Sequence, residues 1–128
     1  MKKIIRTPLA PTPIGPYNQA VLINKMLYTS GQIPLSMDTG LVEMNDIQLA
    51  TKQVMEYLKQ ILIAAEMNFE NVIKVSIFIK DMNDFQQINK VYARYFDEAT
   101  APARETVEVA RLPKDAPIEI SLVASKDS

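Results

Sequence analysis

The polar and apolar positions of this chain change period several times, and each change marks an element. Ile4 and Ile5 form a short apolar pair that fits an edge strand. Pro8, Pro11, Pro13 and Pro16 then forbid a regular ladder, because proline has no N–H to donate. Ala20 to Asn24 and Met26 to Ser30 read as two strands. Asn24-Lys25 joins them as a two-residue turn, in which asparagine tolerates positive φ. Asp38-Thr39-Gly40 marks a loop. The period then becomes helical. Ile47, Val54, Leu58, Ile61, Leu62 and Ala65 recur on one face of a helix predicted over 46–66. Asn45 is its expected cap, with Gln48 in the capping-box position three residues later.

Alternation returns from Val72 to Lys80, where Ile73, Val75, Ile77 and Ile79 share one face of a strand. A second helix is predicted over 84–99, opened by Asn83 and Gln86, with Phe85, Ile88, Tyr92, Tyr95 and Phe96 as its buried stripe. Strands over 104–111 and 117–124 complete the pattern, joined by Leu112 to Ala116. The pattern predicts an α+β fold: one sheet with both helices on one face. Val72, Phe78, Val21, Ile23 and Val123 are then left for the opposite face. No further helix is available to cover them, so the pattern predicts a homo-oligomer. There is no internal repeat, and residues 1–128 read as a single domain.

Composition narrows the chemistry. The 128 residues are 48% hydrophobic and 23% charged, which suffices for a core without staples. A net charge of −1 argues against general affinity for nucleic acid or an anionic membrane. The absence of cysteine excludes a disulfide framework and gives no support for secretion. The basic start Met1-Lys-Lys-Ile-Ile-Arg6 lacks a following apolar run of signal-peptide length, and no segment is long enough to span a bilayer. A cytoplasmic protein is expected. Histidine is also absent, so the two commonest catalytic and metal-binding side chains are missing and no metal site is expected. Chemistry must come from Arg, Lys, Asp, Glu, Tyr, Ser, Thr, Asn and the backbone.

Arg104 stands out in that inventory. It begins a strand just after Pro102-Ala103, and a planar fork of donors suits a carboxylate held at two points. Taken alone, a strand arginine is more often part of an ion pair at an interface. Glu119, between Ile118 and Ile120, is in the same position: alternation alone explains a polar side chain there.

Three segments change that balance when read together. They are Ile14-Gly-Pro-Tyr17, Ser30-Gly-Gln32, and Pro102-Ala-Arg104 through Val107-Glu-Val-Ala-Arg-Leu-Pro113 followed by Ile118-Glu-Ile120. In this order and spacing the chain resembles the YjgF/RidA family of reactive imine and enamine deaminases, which also carry endoribonuclease and translation-inhibitor labels. The likeness extends through Val75 to Asp81, Asp84-Phe85 and Asn89, and so covers essentially the whole chain.

The resemblance implies a chorismate-mutase-like fold with a mixed six-stranded sheet. It implies a homotrimer whose sheets face inward as a barrel, with active sites in the clefts between subunits. The implied chemistry is cofactor-free hydrolysis of 2-imino acids, and of the enamines that tautomerise to them, to 2-oxo acids and ammonia. Such imines are released by pyridoxal-phosphate dehydratases. Arg104 matches the carboxylate clamp and Glu119 the residue that positions the attacking water. Gly31 and Thr106 match backbone N–H donors, glycine allowing close approach to a ligand. Tyr17, Ser30 and Asn89 match further pocket positions: Tyr17 to contact the substrate, Ser30 and Asn89 to orient a water or the imine nitrogen.

Three positions depart from the family pattern. Thr106 replaces a frequent cysteine, Ser121 a frequent second glutamate, and Glu66 a glycine at a helix end that is therefore expected to be shaped differently. The competing readings are a 2-oxo acid-binding regulator of amino-acid or purine pathways, a ribonuclease or translation inhibitor, and a chaperone-like protein. Lack of histidine and the acidic balance weigh against RNA cleavage.

Overall fold

The computed structural model describes residues 1–128. Its strands are β1 (Lys3–Ile5), β2 (Ala20–Ile23), β3 (Met26–Thr29), β4 (Val72–Ile79), β5 (Ala103–Glu108) and β6 (Ile118–Ser125); its helices are α1 (Ile47–Ala64) and α2 (Phe85–Tyr92). All six strands form one mixed sheet in the order β1-β2-β3-β6-β4-β5. Only β4 and β5 run parallel, and α2 belongs to the crossover that joins them. The α+β architecture expected from the sequence is the one observed.

The core lies between the sheet and the helices. Leu27, Val75, Ile77, Ile118 and Ile120 meet Val54, Met55, Leu58, Ile61, Leu62 and Ile88 there, all essentially inaccessible to solvent. Burying each such side chain is worth roughly 1.5–3 kcal/mol, so this one layer holds the protein together. The other sheet face carries no element of this chain. Tyr28, Ile23 and Val107 remain exposed there, and Phe78, Val21 and Val123 are half-buried.

Two assignments to sheet faces need correction. Val72 is buried in the core and Ile73 is exposed, the reverse of the expectation. A bulge between Val72 and Lys74 inserts one residue opposite β6, which flips the alternation upstream of Val75. Helix boundaries also differ. Asp46, not Asn45, caps α1: its carboxylate accepts from the N–H groups of Gln48 and Leu49. Asn45 instead donates its own N–H to Glu43. α2 is shorter than expected and continues only as a 3-10 turn over Ala93–Tyr95. Its N-cap is Asp84, which makes no capping hydrogen bond, while Asp81 caps the turn before it.

The end of α1 keeps its left-handed shape despite Glu66. Glu66 sits at φ 60°, its N–H reaches Ile63 O at 2.9 Å, and the Met67 N–H reaches Leu62 O at 2.8 Å. This is the Schellman pairing, with buried Met67 as its apolar contact. The expected change of shape does not occur. The side chain instead accepts a backbone region that disfavours it.

Candidate functional site

β5 is one of the two edge strands, and its parallel register sets Arg104 beside Val75, on the helix side of the sheet. α2 supplies the surroundings. Phe85, Asn89 and Tyr92 fall at i, i+4 and i+7, so one helical stripe faces the strand. Arg104 Nη1 donates to Asn89 Oδ1 at 2.7 Å. Its guanidinium lies 4.8 Å from the Tyr92 ring centroid and 5.6 Å from that of Phe85. The ion pairs in the chain are Lys25–Asp127, Lys74–Glu105 and Arg111–Asp115, so no carboxylate neutralises Arg104.

Thr106 follows two residues later on the same side, and its hydroxyl is buried without a partner. Val109 N–H donates to Ile79 O. Continuing that alternation back along β5 leaves the Thr106 N–H pointing away from β4, toward the open edge.

Glu119 belongs to a different neighbourhood. It pairs with Phe78 on the helix-free face, while its neighbours Ile118 and Ile120 enter the core. Gly31 lies against it. A Cβ on Gly31 would stand 2.6 Å from Glu119 Cδ and 2.9 Å from Oε2, so only glycine lets the carboxylate rest on this backbone. The bridge between Gln32 and Ile120, bonded at 2.8 Å and 3.1 Å, fixes the approach. The Gly31 N–H has no acceptor in the chain. Burial pushes the Glu119 carboxyl above its ordinary 4.5.

Gly31 also lines a cavity of about 140 Å³ together with Pro11, Pro13, Ile14, Tyr17 and Lys114. Tyr17 is half exposed at its rim. Lys114 and Asp115 stand consecutively at φ 55° and 56°, a strained pair beside the same cavity. Ser30 lies next to it, but its hydroxyl donates to Asn18 O at 2.5 Å and its N–H to Gln19 O at 2.9 Å. Its proton is therefore used within the chain. A larger groove of about 670 Å³ runs between the segment 36–45 and α1. It contains none of the residues expected to act on a substrate.

The sequence-predicted residues thus form two half-sites. Arg104, Asn89 and Thr106 gather at the β5 edge; Tyr17, Ser30, Gly31 and Glu119 gather around β6 and the proline-rich loop. β4 separates β5 from β6.

Three contributors escaped the sequence reading. Periodicity places Tyr92 and Phe85 in the core stripe alone, although their spacing with Asn89 is an available signal. Gln19 carried no signal at all. It is 2% exposed, accepts from the Thr7 N–H at 2.8 Å, and donates to Thr7 O, Ala10 O and Pro11 O. It thereby holds the loop that walls the cavity. No group of three or more His, Cys, Asp or Glu side chains is placed to hold a metal, and no helix is long and apolar enough to cross a membrane.

Comparison with known proteins places this geometry. The family model described as Endoribonuclease L-PSP matches residues 7–126. The RutC family protein slr0709 of Synechocystis is 51% identical over 123 residues, covering 95% of each chain. The Escherichia coli K12 protein named "Putative reactive intermediate deaminase TdcF" is 46% identical over 130 residues, covering 100% of each. The crystal structure of TdcF with bound serine superposes with a TM-score of 0.89 at 45% identity, over 97% of this chain and 98% of that one. YyfA of Yersinia pestis, from the conserved Rid protein family, superposes with a TM-score of 0.93 at 44% identity, over 98% and 99%. With the matched segment spanning both half-sites, the chain belongs to the Endoribonuclease L-PSP family, whose structural neighbours include the YjgF and Rid proteins.

Proposed function

We propose that this protein is a reactive intermediate deaminase that hydrolyses 2-imino acids, such as 2-iminobutanoate and the imine derived from 2-aminoacrylate, to 2-oxo acids and ammonia. The observation that carries the reading is Arg104: a half-buried guanidinium with no carboxylate partner in its own chain. Such a cation is suited to an anionic ligand. Two charge-assisted hydrogen bonds to the substrate carboxylate would contribute about 1.5–3 kcal/mol net each.

The reaction needs a water at the imine carbon and a proton for the nitrogen. Glu119, with its raised pKa, takes a proton from the water as oxygen bonds to carbon. It then returns the proton to nitrogen. The proton left on the carbinolamine hydroxyl then passes to the nitrogen, again by way of Glu119, as the carbon–nitrogen bond breaks, ammonia leaves and the C=O of the 2-oxo acid forms. The free N–H groups of Gly31 and Thr106 are available to the carboxylate or to charge developing at the reacting carbon. No cofactor is required. The imines would come from pyridoxal-phosphate dehydratases in the cytoplasm.

In this reading the two half-sites meet across a subunit boundary. The β5 edge of one protomer faces the Glu119 side of the next in a homotrimer, which also covers the apolar helix-free face.

The test couples a threonine dehydratase to this protein and follows 2-oxobutanoate formation while a scavenger competes for the imine. The expected result is faster 2-oxobutanoate release, abolished by Arg104→Ala and severely weakened by Arg104→Lys, which cannot form the fork. No acceleration from a folded protein that still binds 2-oxobutanoate would replace the enzyme with a 2-oxo acid-binding regulator.

A further inference from the structure

Arg104 has no carboxylate partner because its surroundings are arranged around neutral groups. The nearest carboxylate in sequence is Glu105, and strand alternation sends it to the opposite sheet face. Lys74 holds it there at 2.8 Å, with a second hydrogen bond from Ser76. Glu108 accepts the Met82 N–H at 2.8 Å and is likewise occupied. What touches Arg104 is an amide oxygen and two aromatic faces. A guanidinium only donates, so the Asn89 amide must turn its oxygen inward. Tyr92 is 7% exposed and its hydroxyl makes no hydrogen bond, so its contribution to Arg104 is the ring face. Burial pushes its phenol up to about 12, and it stays neutral at physiological pH.

We propose that Asn89 and Tyr92 are positioning residues that fix the Arg104 fork while leaving its charge uncompensated, and that this neutral cradle makes the site specific for a ligand carboxylate. The inference rests on the deaminase reading only in taking Arg104 as the carboxylate clamp. Asn89 and the ring face set where the guanidinium points. Their neutrality leaves the ligand carboxylate as the sole anion competing for it. An aspartate in place of Asn89 would supply that anion internally, and the clamp would close on its own chain.

This makes an unusual ordering testable. Calorimetric titration with 2-oxobutanoate compares wild type, Asn89→Asp, Asn89→Ser, Tyr92→Phe, Tyr92→Leu and Arg104→Ala. Asn89 is only partly buried on α2, and aspartate is its near-isostere, so the fold should persist in both Asn89 variants. The expected affinity order is wild type, then Asn89→Ser, then Asn89→Asp. The last should be weakened by at least about tenfold, the worth of one charge-assisted hydrogen bond. Tyr92→Phe should bind within about twofold of wild type, because the cation–π face remains. Tyr92→Leu should bind more weakly than Tyr92→Phe. A merely structural Asn89 predicts the reverse order, with the isosteric aspartate milder than serine. Asn89→Asp binding as tightly as Asn89→Ser or more tightly overturns the proposal, as does Tyr92→Leu binding like Tyr92→Phe. Unchanged binding in Arg104→Ala would remove the clamp itself, a failure separate from these.

Discussion

Arg104 and Glu119 point to opposite faces of one sheet. Arg104 pairs with core-facing Val75, and Glu119 pairs with Phe78 on the side that no helix covers. One protomer therefore cannot bring both to the same substrate. If the clamp and the base act together, they come from two copies. Arg104→Ala and Glu119→Gln proteins, each inactive, should then complement when unfolded together and refolded as mixed oligomers. Random 1:1 mixing restores both residues at about a quarter of the sites, so roughly a quarter of wild-type activity is expected. Coupled deaminase assays on the mixture read this directly. No recovery from properly mixed oligomers would mean that Arg104 and Glu119 do not share a site.

Glu119 should make both activity and stability depend on pH. Its folded pKa lies above the unfolded 4.5, raised by burial. Below 4.5 both states hold the proton, and the group's stabilising contribution is fully present. As pH rises through the folded value that contribution is lost, because the unfolded chain ionises more readily. Glu119→Gln should therefore be more stable than wild type at pH 7, with the gain vanishing near pH 4. Denaturant titrations at the two pH values check this. The rate should show an acid limb with a midpoint above 4.5 in wild type, and the variant should lose turnover and limb alike.

Glu66 holds a left-handed cap that glycine would hold without strain. Glu66→Gly should stabilise the protein by about 1 kcal/mol, the cost of that region for a residue with a Cβ, partly offset by glycine's greater freedom when unfolded. A rise in thermal midpoint of a few degrees is expected, and a fall would show that the Glu66 side chain contributes more than its backbone costs.

Thr106 buries a hydroxyl that bonds to nothing. Thr106→Val keeps the shape and removes the unpaired group. Leaving such a group unmet costs about 1–3 kcal/mol, so the valine variant should be more stable by an amount in that range. Equal or lower stability, measured in urea, would place a hydrogen-bond partner on Thr106 in the assembled protein.

Element order and most of the core follow from periodicity, because both helices carry clean apolar stripes and β6 alternates without fault. The hairpin at Asn24-Lys25 was also legible, and both residues take the positive φ expected of such a turn. The errors have local causes. Nothing in the run Val72-Ile73-Lys74 marks a bulge, since either apolar residue satisfies the alternation. Asn45 and Asp46 are both good caps, and what distinguishes them is where the helix begins: the Asp46 carboxylate reaches the N–H groups of Gln48 and Leu49, while Glu43 accepts from the N–H groups of both Asn45 and Asp46. The site residues were identifiable as types, but not as partners. That Gly31 lies against Glu119 depends on a bridge between segments far apart in sequence, and that Asn89 meets Arg104 depends on how α2 packs beside β5.

The place of β6 has a consequence for how the chain is made. The last strand in sequence lies between β3 and β4, in the middle of the sheet. Until Ser125 has emerged from the ribosome, the β1–β3 meander and the β4–α2–β5 unit have no common strand to join them. The sheet therefore cannot close until residues 118–125 are available, and its assembly waits on β6 rather than proceeding strand by strand in step with translation. A nascent chain stalled before residue 118 would expose the apolar faces of both units at once, and it is at that stage that the protein is most dependent on protection from aggregation.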